Sequence, residues 1–140
     1  MSKKLGNDYR LFIGDGGGPE VFTEIAGQQD LSISRSAQSI DTSTKDNFPY
    51  ATQAPGLRTL SIPFNLIPDL PDADGYGALE SAANATTPVP VTFQVKTGAT
   101  VVFEGSMYIT DFNTSFAQND AVKATGTLVA ADAPTTDALA

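Results

Sequence analysis

The stretch VVFEGSMYITDFNTSFAQNDAVKATGTLVA, Val101 to Ala130, decides the fold. Phe103, Met107 and Ile109 alternate with Glu104, Ser106, Tyr108 and Thr110, the period of two that marks a half-buried strand. Gln118-Asn119-Asp120 forms a turn cluster, because Asn and Asp tolerate left-handed backbone angles. Beyond it Val122, Ala124, Gly126 and Leu128 alternate with Lys123, Thr125 and Thr127. The pattern predicts two strands of about ten residues, each roughly 33 Å long at ~3.3 Å per residue. A hairpin of that length needs further strands beside it to be stable.

The rest of the chain supplies candidates. Tyr9 to Ile13 and Val21 to Ile25 read as short strands around the turn Gly14 to Pro19 (GDGGGP). Leu31, Ile33 and Arg35 alternate with Ser32, Ser34 and Ser36, which predicts a strand with one polar face. From Ser36 to Gly56 the apolar signal thins to Ile40, Phe48 and Tyr50, which predicts a long loop, with Ile40 to Thr44 able to extend as a hairpin arm. Connections of that length are usually functional or disordered. Leu57 to Leu66 predicts a strand whose Pro63 lacks a donor, so it is expected at an edge or to break near its end. Gly75 to Ala85 is the one helix candidate, preceded by the capping residues Asp72 and Asp74. Val91 to Lys96 is a strand and Gly98 a tight turn. Residues 1–8 are expected to be a mobile arm, and 131–140 to carry too little apolar surface to order itself. The sum is seven or eight strands and one short helix: a mainly β single domain, a β-sandwich or partly closed barrel with one flanking α-helix and a long extended loop.

Composition narrows the function. The chain has 140 residues, enough for one domain with a core of its own. Its charged fraction of 17% is low for a free-standing protein, and a surface rich in Ser, Thr, Ala and Gly suits contact with other protein surfaces. The net charge is −8; beyond residue 10 there are five basic and fifteen acidic residues, because Lys3, Lys4 and Arg10 lie at the start. Nucleic-acid readers need Lys and Arg to replace counterions on the phosphates, so this balance argues against one. With no Cys and no His there is no disulfide, no zinc site of the usual kind and no His-based triad. No apolar run is long enough for a signal peptide or a membrane span, so synthesis and assembly in the cytoplasm, without membrane insertion by this chain, are expected. The sequons at Asn84 and Asn113 are therefore read as chance matches.

The motifs that suggest chemistry fail on spacing. The third Gly of a G-x-G-x-x-G begun at Gly14 falls on Pro19, and no Gly-Lys-Ser/Thr follows. The Asp72-Ala73-Asp74-Gly75 run resembles a calcium loop, but Leu70 takes the first ligand position and Glu80 comes one residue early. Glu20, Glu24, Glu104 and Asp111 are candidate acid–base carboxylates, yet nothing makes two of them converge, and solvated charges are the ordinary reading. Ser32, Ser34, Ser36 and Ser39 have no visible activator. No enzymatic activity and no cofactor or metal are expected.

Three segments carry a family resemblance: IGDGGGPEVFTEIAG (Ile13 to Gly27), SISRSAQSIDTSTKD (Ser32 to Asp46) and FEGSMYITDFNTSF (Phe103 to Phe116). In order, from about Gly6 to Val129, the chain resembles the major tail tube proteins of long-tailed bacteriophages and of gene transfer agents. The most specific piece is Arg35-Ser36-Ala37 followed by Ile40-Asp41-Thr42 and Thr44-Lys45-Asp46; the chain departs from the pattern afterwards, at Phe48-Pro49-Tyr50 and from Pro63 to Pro71. The resemblance implies a tail-tube-like β-sandwich with one helix. Six copies would form a ring, and rings would stack into a tube through which DNA passes without specific binding. The loop Ser36 to Gly56 would reach the neighbouring ring. Implied partners are further copies of itself, the tape measure protein, the tail terminator and the distal tail or baseplate proteins, in a virion tail. Candidate subunit and stacking contacts are Arg35, Ile40, Asp41, Thr42, Thr44, Lys45, Asp46, Phe48, Tyr50 and Arg58. Arg35, Asp41, Lys45, Asp46 and Arg58 are candidates for ion pairs across subunits, against the alternative of local pairs or free charges. A different class of function, a small β-sandwich module for virion attachment or carbohydrate binding, would need exposed aromatics clustered on one loop, and only Phe48 and Tyr50 answer.

Overall fold

The computed structural model describes residues 3–139. The predicted hairpin is its centre: β7 (Thr100–Ser115) pairs with β8 (Lys123–Ala130), from Met107 opposite Ala130 to Ser115 opposite Lys123. Asn119, at φ 60°, turns the connection, as an Asn can. Along β7 the residues Phe103, Gly105 and Met107 are buried, and along β8 Ala124, Gly126 and Leu128, so the period of two does select one face. A bulge between Ile109 and Asp111 leaves Thr110 out of the register with β8, its hydroxyl donating to Thr127 O at 3.4 Å, and keeps Phe112 on the core side.

Around this hairpin the chain builds one nine-stranded antiparallel sheet, in the order β2-β1-β6-β7-β8-β5-β3. The remaining members are β1 (Tyr9–Gly14), β2 (Phe22–Glu24), β3 (Gln28–Leu31), β4 (Ser34–Asp41), β5 (Gln53–Leu66), β6 (Val91–Thr97) and β9 (Thr136–Asp137). β4 pairs with β5, and β9 with β7. The sheet coils until its ends approach without closing. There the Gln28 amide does the work of a strand, accepting from Leu11 N at 2.8 Å and donating to Leu11 O at 2.7 Å and Ile25 O at 2.8 Å. Inside lie Leu11, Ile25, Ile62, Leu66, Phe93, Phe103, Met107 and Leu128, all at 2% exposure or less.

The helix α1 (Tyr76–Ala83) lies where Gly75 to Ala85 predicted one. It buries Tyr76 and Leu79 against the sheet, with the Tyr76 ring 5.9 Å from that of Phe112. Asp72 does its capping from three residues upstream of Gly75, accepting from Gly75 N, Tyr76 N and, across the fold, Ala26 N. The glycine-rich segment is a turn: Asp15 Oδ1 accepts from Gly17 N and Val21 N, and Gly16 sits at φ 77°. Those two backbone donors, Gly17 first, hold the Asp15 carboxyl below its ordinary value.

Four expectations change. First, the 36–56 segment is a hairpin: β4 and β5 pair from Ser34 opposite Ser61 to Asp41 opposite Gln53, so only residues 42–52 form its loop. The weak apolar signal misleads because both faces of β4 are exposed, which removes the burial that writes alternation into a sequence. Second, Pro63 is interior to a 14-residue strand. Its oxygen accepts from Ser32 N at 3.3 Å, and its missing donor falls on that same side, at the seam where β3 ends and β4 begins. Third, the C-terminal segment is paired: β9 lies opposite Glu104 and Phe103, with Thr135 N bonded to Glu104 O at 2.8 Å and Ala138 N to Val102 O at 2.9 Å. Its order comes from main-chain bonds on a core strand, which need no apolar side chains. Fourth, within the expected N-terminal arm, Gly6–Asp8 form a 3-10 turn; Met1, Ser2 and Ala140 lie outside the described residues.

Candidate assembly surfaces

Two kinds of surface stand out, open ladder edges and a projecting ribbon. β2 at one end of the sheet and β4 at the other each pair on one side only, among the described residues. On β7 the ladder with β6 ends at Met107, so the β6 side of 108–115 has no strand partner among the described residues. Unpaired N–H and C=O rows of this kind are templates for another chain.

The ribbon is the β4–β5 arm. β8 pairs with β5 only from Ser61 to Leu66, so Gln53 to Leu60 and β4 from Arg35 onward extend past it. Residues 35–41 of β4 give a reach of about 23 Å. The tip is ordered by its own polar groups. Thr42 N donates to Thr52 O at 2.9 Å, Thr52 N to the Ser43 hydroxyl at 2.8 Å, Asn47 Nδ2 to the Thr52 hydroxyl at 3.3 Å, and Tyr50 N to Asn47 O at 2.8 Å. A 3-10 turn, Lys45–Asn47, rounds the end. Ser43 lowers the Asp41 pKa, through its side chain and then its backbone N–H.

The structure gathers most of the candidate contact residues here. Asp41, Thr42, Thr44, Lys45, Asp46, Phe48 and Tyr50 cluster at the tip, with Phe48 85% and Tyr50 77% exposed. Ile40 sits opposite Ala54 on the shaft, and Arg58 opposite Ala37. Lys45, Asp46 and Arg58 have no ion pair among the described residues. Arg35, at the root of the arm, already has a partner in its own chain: its guanidinium grips the Asp137 carboxylate with two hydrogen bonds, Nε to Oδ2 at 2.9 Å and Nη2 to Oδ1. That hydrogen bond, more than charge, raises the Arg35 pKa and lowers that of Asp137. Asp137 could not be found from sequence, since it lies 102 residues from Arg35 in a segment without apolar pattern. Leu57, 82% exposed on the arm, was also hidden, because it reads as an ordinary start of a core strand.

The candidate acid–base groups do not converge. Glu104 binds Gln94 and Thr135, Asp111 binds Asn113, Glu20 binds Gly16 N, and Glu24 pairs with Arg10 at 3.7 Å. No group of three or more His, Cys, Asp or Glu able to hold a metal occurs among the described residues. No helix is long and apolar enough to cross a membrane, among the described residues.

What the geometry offers is backbone edges and an extended arm, the equipment of a structural protein that assembles. The chain belongs to the phage tail tube protein family, whose sequence model matches residues 3–136. It is a structural subunit of a phage tail tube. No curated protein sequence matches it. Among solved structures it is similar to the tail of an empty gene transfer agent particle with C6 symmetry, at 21% identity and TM-score 0.78, over 97% of this chain and 100% of the other. The virion of a native gene transfer agent particle gives 22% and 0.75, over 97% and 100%. The SPP1 tail tube gives 16% and 0.74, over 98% of this chain and 81% of the other. These likenesses are of fold.

Proposed function

We propose that the chain acts as a single tail tube domain, six copies of which close into a ring, and that the 36–56 arm carries the contact from one ring to the next. The observation that carries this reading is the ordered arm, extended past β8 with no other strand on either outer edge among the described residues and exposed aromatics at its tip. A head-to-tail contact that closes in the plane makes a ring, and one along the axis that never closes makes a filament. Strand addition at open edges supplies main-chain hydrogen bonds for such contacts. The six-fold count is supported by the symmetry of the similar gene transfer agent tail. Arg58, Lys45 and Asp46 are the charges available for pairs across copies, where exposed pairs of about 0–1 kcal/mol set register more than strength.

The bore is a passage that does not grip. Duplex DNA carries one charge about every 1.7 Å, and a basic wall would hold it. With a net charge of −8, this chain supplies an acidic or neutral wall, its excess Asp and Glu facing the lumen or the outer surface. The chain performs no catalysis. The tube ends and filling are the places for the tape measure protein, the tail terminator and the distal tail or baseplate proteins, and assembly takes place in the bacterial cytoplasm. Electron microscopy of the purified, concentrated protein tests the reading: six-fold rings or tubes are expected, while monodisperse small particles would replace it with an attachment or carbohydrate-binding module.

A further inference from the structure

The arm leaves the body where β5 parts from β8, at Ser61 opposite Val129. Outward from there, β4 and β5 have no other strand partner among the described residues, and a two-stranded ribbon by itself is marginal and free to swing about its root. At its root the arm is joined to the body by the packing of half-buried Leu60 against the core and, as a polar tie, by the double hydrogen bond from Arg35 to Asp137. Arg35 sits opposite Leu60, one position beyond the root pair of Ser34 and Ser61. Asp137 sits opposite Phe103, a fully buried residue of β7. The segment bearing Asp137 is fastened on both sides by Thr135 N to Glu104 O and Ala138 N to Val102 O, and the Thr135 hydroxyl adds bonds to Glu104. The mechanical path therefore runs from a core strand through the C-terminal strand to the arm. A planar guanidinium on a carboxylate fixes direction as well as distance, which a lysine ammonium does not.

We propose that β9 is a brace for the arm: Asp137, acting through Arg35, sets the direction in which the β4–β5 ribbon projects before any second copy arrives. Arg35 and Asp137 are thus positioning residues. The inference rests on the arm being the ring-to-ring contact. Its consequence is that a subunit with its arm preset has less freedom to lose when the next ring docks.

Because the chain has no Cys, two can be introduced cleanly for spin labels, at Thr44 on the tip and at the exposed Ser81 of α1. Distances are measured by double electron–electron resonance on the full chain, at concentrations below assembly. The starting protein is expected to give one narrow distribution. Asp137→Ala should broaden it, and the charge swap Arg35→Asp with Asp137→Arg should narrow it again, which mere loss of folding would not allow. Arg35→Lys, which keeps the charge and leaves β9 untouched, should also broaden it. In unlabelled protein, Asp137→Ala should raise the concentration needed for tubes by about ten-fold through the added ordering cost, with recovery in the swap. An unchanged distribution in both Asp137→Ala and Arg35→Lys overturns the brace. A broadened arm in protein that still makes tubes normally leaves the brace standing and overturns the arm as the stacking element.

Discussion

Asp72 illustrates how much one side chain can organise. Its carboxylate accepts from Gly75 N and Tyr76 N at the start of the helix and from Ala26 N beside the buried Ile25. Asp72→Ala is expected to lose about 2–3 kcal/mol, since it strips a cap and leaves half-buried donors unpaired; a urea unfolding midpoint measures it. Sequence placed an Asp cap there but could not name the Ala26 bond, 46 residues away. Asp137 gives the pH prediction. Its folded pKa lies below 3.8, chiefly because Arg35 donates to it. A depressed carboxylate stabilises the folded form fully above its unfolded value and loses that contribution as pH falls through the folded one. Hydrogen-exchange protection of the Thr135 and Ala138 amides should therefore hold from neutrality to about pH 4 and fall below it, by linkage to the Asp137 titration. Arg35→Ala should abolish the Asp137 pKa depression, read by carboxyl NMR, and weaken protection already at neutral pH.

At the scale of elements, the strands that bury one face were legible and the ones that do not were hidden. β8 and the inner half of β5 alternate because one side of each meets the core, as Ile62, Phe64 and Leu66 show, and β6 and β7 carry their large apolar residues toward the same core. β4 has no buried residue, so its ladder left no mark on the sequence beyond the tolerance of Ser and Gln for an exposed strand. The arm's independence makes a prediction. Deleting Ile40 to Ala54 removes no buried residue and leaves the inner half of β5 on β8. The shortened subunit is expected to keep its circular dichroism and a cooperative unfolding transition while forming no stacked tubes by electron microscopy. Normal tubes from it would remove the arm from the assembly.

For the whole molecule, charge and open edges pull in opposite directions. Each copy carries −8, so neighbours repel, while the rows of β2, β4 and the β6 side of 108–115 that have no strand partner among the described residues draw copies together. Raising ionic strength from about 0.01 to 0.15 M shortens the screening length from about 30 to 8 Å. Assembly followed by light scattering should thus begin at lower protein concentration as salt rises. The opposite trend would mean that pairs across copies, such as those open to Arg58, dominate the contact.

The sequence by itself determined the mainly β class, the long hairpin at the centre, the short helix with its Asp cap and the lack of residues for thiol or imidazole chemistry. Each is written in residue type or in a local period that burial of one face imposes. Tertiary structure alone decided that the thin 36–56 segment is an arm, that Pro63 sits at a seam between two partners, and that the C-terminal segment lies on β7 to meet Arg35. Those features rest on main-chain bonds and on pairs between residues far apart in the chain. Main-chain groups are the same in every residue but proline, so where they bond leaves almost no trace in sequence.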